Sequence, residues 1–268
     1  MWPTWDQAAM LVAAMLVVVA LTRRSTNHRV LGLSAAAAEV VLVAFLYGIW
    51  RLARMLPLTQ ESGAIDRGHQ IWDLERQLHI GSELAIQRWT LDHGRLAEWA
   101  TTYYAYVHVP ALLGFLVWLW VRHREAYPRW RNALAIVTGF CLVIRFWRVA
   151  PPRFLPDLGF VDTSVQYGVS VYGSINHGVS DQFAAMPSIH IAWAAVVAFG
   201  IIDASPSRWR WLALVHLVLT SYVVVATANH WWMDGIVAIA LLGLALAIDE
   251  GVRRWWVRRG SRGALRPT

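Results

Sequence analysis

Residues 209–249 read WRWLALVHLVLTSYVVVATANHWWMDGIVAIALLGLALAID. Two apolar runs, 209–228 and 232–249, flank the short turn Asn229-His230-Trp231. A helix needs about 17–25 residues to cross a ~30 Å hydrocarbon layer, so each run is long enough to span a bilayer. Similar runs occur at 5–22, 31–50, 100–121 and 132–149, with a shorter one at 188–203. Together they predict an all-α integral membrane protein with seven spans. Composition agrees: of 268 residues, 57% are hydrophobic and 15% charged, against about 25% charged in soluble domains. This balance excludes a disordered chain, which needs low hydrophobicity and high charge. The mean hydropathy is +0.41. Seventeen Trp residues suit a protein with two membrane interfaces. A single cysteine, Cys141, excludes an intrachain disulfide.

All 24 basic residues are Arg, against 17 acids, giving +7. Fifteen of them fall after the first, third, fifth and seventh spans, and nine on the other side. By the positive-inside rule the fifteen-Arg side is cytoplasmic. The Arg-rich 251–268 tail is then cytoplasmic, and the basic charge needs no nucleic-acid partner. Residues 1–30 form an extra span and loop that lacks the basic start of a cleaved signal. Residues 31–250 form the main membrane domain. Within it, 51–99 places Ile71, Leu74 and Leu78 at helical spacing and reads as interfacial amphipathic helices. Residues 150–186 are rich in Pro, Gly, Ser and Asp and read as an extracytoplasmic loop.

Most of the ten histidines stand alone and read as surface or packing residues. His108 and Glu39 lie inside apolar spans, where ionisable groups are functional candidates, though a polar helix–helix contact accounts for Glu39 equally well. Two clusters stand apart. Met186-Pro187-Ser188-Ile189-His190 leads into a helix, where Ser caps and exposed N–H groups favour an anion. In the second, His230 and Asp234 are four apart on one helix face, so the carboxylate can orient the imidazole. The topology puts both on the same outer face. Arg145, Arg148 and Arg153 close the 132–149 span there, and a guanidinium matches phosphate oxygens. Two His, a carboxylate and Arg point to phosphoryl transfer. One His attacks phosphorus and the other protonates the leaving oxygen. Metal binding is the rival, but His190, His230 and Asp234 come without an HExxH or clustered acids.

At these residues the chain resembles the PAP2 superfamily, the type 2 phosphatidic acid phosphatases and their relatives. Pro187-Ser188-Ile189-His190 is similar to its second motif and His230-x-x-x-Asp234 to its third. The closer likeness is to the inositol phosphorylceramide synthase-like branch. It rests on Pro151-Pro152-Arg153, Gly159-Phe160-Val161-Asp162-Thr163, Ala184 to His190, Thr227 to His230, and Glu75-Arg76-Gln77-Leu78-His79-Ile80-Gly81. The resemblance implies a six-helix PAP2-like core beneath the extra N-terminal helix. It also implies His230 as the phosphohistidine nucleophile, Asp234 as its orienting group and His190 as the general acid, without metal or cofactor. Ser188 and Arg153 would bind phosphate oxygens, with Arg145 or Arg148 helping.

Two departures matter. Arg145 precedes Pro152-Arg153 by six residues, with the family's Arg-Pro order reversed, and Val223-Val224 replace the Ser-Arg before the third-motif His. One phosphate-binding Arg is missing, and Thr227 or Asn229 would compensate with neutral donors. The weaker positive field tilts towards a phosphodiester and headgroup transfer. Phosphatase and transferase both stay open. The expected substrate is a lipid phosphate or phospholipid, with a polyol or lipid alcohol as acceptor in the transferase case, in a plasma membrane with an outward site. The alternative is a seven-helix transporter or lipid-binding protein with a vestigial site.

Overall fold

The computed structural model describes residues 3–55, 63–168 and 182–263. Among the described residues the chain is helical, with one isolated bridge between Val149 and Ala184 and no strand. Two compact units divide near Leu58. The first is a hairpin of α1 (Trp5–Thr22) and α2 (His28–Met55). Tyr47 Oη donates to the Pro3 carbonyl at 2.7 Å, and Gly48 lies against Ala8, so the helices pack on small residues. Glu39 is half-buried in α2.

The second unit contains α3 (Ala64–Gln77), α4 (Glu83–Asp92), α5 (Gly94–Tyr106), α6 (His108–Arg122) and α7 (Tyr127–Ile144). It continues with α8 (Thr163–Tyr167), α9 (Ile189–Ala204), α10 (Ala213–Ala226) and α11 (Trp232–Gly263). Helix α9 is apolar all round and lies among α6, α7, α10 and α11. Its sixteen residues are about 24 Å long, less than a hydrocarbon layer, but its flanks are covered by protein. At Gly200 an added Cβ would collide with the Phe115 ring, so α6 and α9 touch there through a missing side chain.

Among the described residues four helices are long and apolar enough to cross a bilayer, or five if the bent pair α5–α6 counts as one. The seven expected spans therefore differ in detail. The 100–121 run is two helices bent by 50° at Val107. Pro110 has no N–H for the Tyr106 carbonyl and its ring crowds that carbonyl, which breaks the helix one turn earlier. The 132–149 run is helical only to Ile144, and its helix starts earlier, at Tyr127 with Pro128 in the first turn. Beyond its apolar run α11 continues as helix through the Arg-rich segment. The pairs Arg253–Asp249 and Arg254–Glu250, each at 2.6 Å and four residues apart, support that extension.

A second, smaller core sits beside the bundle. Trp231, Phe160, Leu155, Val149 and Ala64 form it, with Phe183 at its edge. It joins α3, the 149–160 segment, residues 183–185 and the start of α11. Trp231 is fully buried, its Nε1 donating to the Ala150 carbonyl at 2.9 Å. Gly68 approaches the same carbonyl so closely that an added Cβ would lie 3.2 Å from it.

Candidate functional site

The two sequence clusters meet where the two cores join. The α9 start is capped by Ser188, whose Oγ accepts from the Ile191 N–H at 3.3 Å. The Ser188 N–H donates to the Asp234 carbonyl at 3.2 Å, tying the start of α9 to the first turn of α11. Gly235 makes this approach possible: a Cβ there would lie 2.6 Å from Ile191 Cδ1. His190 and His230 consequently face each other, with His190 Nδ1 and His230 Nε2 3.3 Å apart.

His230 Nδ1 has two acceptors, the Ala185 carbonyl at 2.8 Å and Asp234 Oδ2 at 3.1 Å. Two acceptors require the proton on Nδ1. The Nε2 lone pair then points towards His190, as a nucleophile needs. Asp234 is fully buried, and its Oδ2 also accepts from the Trp231 N–H at 2.9 Å. Its Oδ1 has no donor among the described residues.

Arg153 lies in a 3-10 turn, Pro152–Phe154, and is 5% exposed. Its N–H donates to the Ala228 carbonyl at 2.9 Å. Its guanidinium donates to Asn229 Oδ1 and lies 3.4 Å from Asp162 Oδ2. Asn229 Nδ2 donates to Thr227 Oγ1 at 2.8 Å and to the Thr227 carbonyl at 3.2 Å. The Thr227 hydroxyl gives its proton to the Val223 carbonyl at 2.8 Å. The two residues expected to supply neutral donors thus use them inside the protein, where they form a chain that holds Arg153. Arg145 and Arg148 follow α7 and are both buried. The Arg148 carbonyl accepts from Arg67 Nε, and the adjoining Val149–Ala184 bridge connects this segment to Ala185 and so to His230.

Several further residues stand around the site. Asp162 pairs with Arg153 and caps α8 by accepting from the Ser164 N–H at 2.9 Å. Gln87 clamps that loop by donating to the Val161 carbonyl at 2.8 Å and accepting from its N–H at 3.0 Å. His108 sits at the α5–α6 bend with its ring 4.7 Å from that of His190, and the Tyr104 ring lies 4.6 Å from His190 and 6.0 Å from His108. His108 is buried, and neither ring nitrogen has a partner among the described residues. Its position inside an apolar run was the signal. Among the described residues no group of three or more His, Cys, Asp or Glu side chains forms a metal cage.

A family model described as the PAP2 superfamily matches residues 69–248. That interval contains His190, His230, Asp234, Arg153 and Ser188. No curated protein and no solved structure matches the chain.

Proposed function

The chain belongs to the PAP2 superfamily, and on that premise we propose that it cleaves a lipid phosphate ester through a phosphohistidine at His230. The observation that carries the reading is the row Asp234–His230–His190, with contacts of 3.1 and 3.3 Å. His230 Nε2 attacks phosphorus as the bond to the leaving oxygen breaks. His190, as imidazolium, gives that oxygen its proton. In the second half, water or an alcohol loses its proton to His190 and attacks phosphorus, and the phosphorus–nitrogen bond returns its electrons to His230. Asp234 holds the Nδ1–H tautomer and offsets the positive charge that His230 gains. Arg153 and the Ser188 hydroxyl stabilise the charged phosphoryl oxygens. Asn229 and Thr227 act through Arg153, and Arg145 and Arg148 add positive charge nearby. In this scheme the imidazoles and Arg153 carry the protons and the charge, so the reaction requires no metal.

Transfer to an alcohol is the better supported half of the choice, as in the inositol phosphorylceramide synthase-like branch. Asp162 partly neutralises Arg153 at 3.4 Å, and Val224 stands where the family has a second Arg. A singly charged phosphodiester needs less positive field than a doubly charged monoester. The substrate is then a phospholipid and the acceptor a polyol or lipid alcohol, at the outer face of a plasma membrane with the C-terminus in the cytoplasm.

The test uses the full chain in detergent with EDTA. Phosphatidic acid, phospholipids and p-nitrophenyl mono- and diesters are offered with and without a polyol. Product bearing the polyol supports transfer, and inorganic phosphate alone rejects it. His230→Ala is expected to lower turnover by roughly 10⁴-fold or more. Undiminished turnover in a folded variant overturns the phosphohistidine.

A further inference from the structure

The motif Glu75-Arg76 is not used by the chemistry above, yet Glu75 is completely buried, as is Glu83. Glu75 lies in the last turn of α3 and Glu83 opens α4. Both carboxyls point at the first turn of α11. There the Met233 N–H donates to Glu75 Oε1 at 2.7 Å and the Trp232 N–H to Glu83 Oε1 at 3.4 Å. The preceding Trp231 N–H donates to Asp234 Oδ2 at 2.9 Å. Three consecutive N–H groups at a helix start, which have no partner inside the helix, are thus taken by three different carboxyls. The turn that carries Asp234, with His230 two residues before it, is held from the α3–α4 side.

Charge counting limits how these acids exist. Around the turn stand Glu75, Glu83 and Asp234, with Arg76 and His230 as the facing basic groups. Arg76 Nη2 donates to Glu83 Oε2 at 3.0 Å and to the Gly81 carbonyl at 3.2 Å, and its guanidinium lies over the Trp72 ring. Among the described residues Glu83 and Asp234 therefore each have a basic partner, and Glu75 has none. Glu75 Oε2 meets no donor among the described residues, and its carboxyl stands next to that of Glu83, the two accepting from the neighbouring N–H groups of Met233 and Trp232. Two ionised carboxyls on neighbouring N–H groups and out of water repel strongly. One proton turns that repulsion into a charge-assisted hydrogen bond.

We propose that Glu75 and Glu83 are positioning residues that share one proton, and that this neutral-plus-anionic pair holds the first turn of α11 so that Asp234 and His230 keep their alignment. The inference rests on His230 and Asp234 acting as stated above. Burial first, and the neighbouring Glu83 next, push the Glu75 carboxyl from its ordinary 4.5 up to about 9, which places the proton on Glu75 at neutral pH. Ionisation above that point would put an extra negative charge beside Asp234 and loosen the turn. Because the native state holds a proton that the unfolded chain releases near 4.5, this group's contribution to stability falls as pH rises from about 4.5 to 9.

The experiment compares Glu75→Gln, Glu75→Ala, Glu83→Gln and the double Gln variant with wild type and His230→Ala. Turnover of a p-nitrophenyl diester and thermal unfolding in detergent are both read from about pH 5 to 10. Gln keeps the acceptor for Met233 N–H and mimics the protonated acid, so Glu75→Gln is expected to retain the turnover that Glu75→Ala loses by about tenfold or more. Wild type is expected to lose turnover above about pH 9 and Glu75→Gln to lack that alkaline limb. Its melting temperature should exceed that of wild type by a margin growing from pH 5 to 9. Glu83→Gln is expected to be tolerated, because Glu75 then ionises to pair with Arg76, while the double variant leaves Arg76 unpaired and loses activity.

Equal loss in Glu75→Gln and Glu75→Ala overturns the shared proton. Wild-type turnover in Glu75→Ala, with His230→Ala inactive, overturns the positioning role and leaves the phosphohistidine intact. Turnover in His230→Ala overturns the reaction itself. If Glu75→Ala does not fold, the pH profile of Glu75→Gln decides. If no probe is turned over, the growing melting difference still tests the proton.

Discussion

The bundle around α9 and the cap around Trp231 both bury apolar side chains, but they do so by different means. Ala192, Ala194, Ala195 and Ala198 bring α9 against its neighbours mainly through small side chains and helix surfaces, with Trp193 Nε1 donating to Thr138 at 3.0 Å and Trp130 Nε1 to Asp203 at 2.9 Å along its α7 side. The cap uses a handful of large rings: Trp231 on the Ala150 carbonyl, and Phe160 edge-on to both Trp72 and Trp231. Helices pack along their whole length, whereas the cap joins segments far apart in sequence through single hydrogen bonds. His190 rises from the bundle side, Arg153 from the cap side, and His230 from the turn between. Bundle changes are therefore expected to act on stability and cap changes on alignment.

The sharpest break comes at the shared turn. Asp234→Asn keeps the volume but removes the charge that fixes the His230 tautomer. Its kcat is expected to fall by about 10⁴-fold, with the melting temperature much less affected. Retained kcat would show that the Ala185 carbonyl alone fixes the tautomer. Next is Arg153→Lys on the cap side. Lysine keeps the charge but not the forked donors that reach Asn229 and, in the proposed reaction, the phosphoryl oxygens, so kcat is expected to fall by about 10²–10³-fold. An equally deep loss in Asn229→Ala would place the binding burden on Asn229 itself.

These two regions also differ in how far they could be read beforehand. Periodicity and length reveal apolar helices, so the all-α membrane class and the ordered His190 and His230–Asp234 motifs were legible. The bend at Val107 was signalled only by Pro110, which a hydropathy run passes over. The clamps were not legible: Asp162 on Arg153, Gln87 on Val161, and Glu75 and Glu83 on α11 each bridge segments whose pairing depends on the cap's tertiary packing. Thr227 and Asn229 show the same limit from the other side. Their residue types announce neutral donors, but where those donors go depends on partners that only the folded cap supplies.

Two smaller changes separate alignment from stability. Trp231→Phe removes the donor to the buried Ala150 carbonyl, a loss of about 1–3 kcal/mol. Since the side chain sits between His230 and Asp234 in sequence, kcat is expected to fall by up to about tenfold. Gly200→Ala pushes a methyl into the Phe115 ring deep in the bundle. It is expected to lower stability by about 1–3 kcal/mol and leave kcat of the folded protein unchanged. Denaturation in detergent and single-turnover rates measured on the same samples distinguish the two. A Gly200→Ala variant with normal stability and a slowed reaction would reverse the division of labour.

The smallest effect lies at the cap's edge. His69 Nε2 meets Asp157 Oδ2 at 2.7 Å, linking α3 to the 3-10 turn Pro156–Leu158. The hydrogen bond that His69 donates to Asp157 raises the His69 pKa above its ordinary 6.5, and that bond in turn lowers Asp157 below 3.8. For His69 the contribution is complete below about 6.5 and disappears as pH rises through the raised value. For Asp157 it is present above about 3.8 and disappears as pH falls through the lowered value. The pair therefore stabilises most between those limits. Both partners are exposed, where ion pairs are screened and contribute little. His69→Ala is expected to lower the melting temperature slightly at about pH 5–6, not at all near pH 9, and to leave kcat unchanged. An equal drop at both pH values would mean that the ring anchors the turn by packing, and that this edge of the cap follows the bundle's rule.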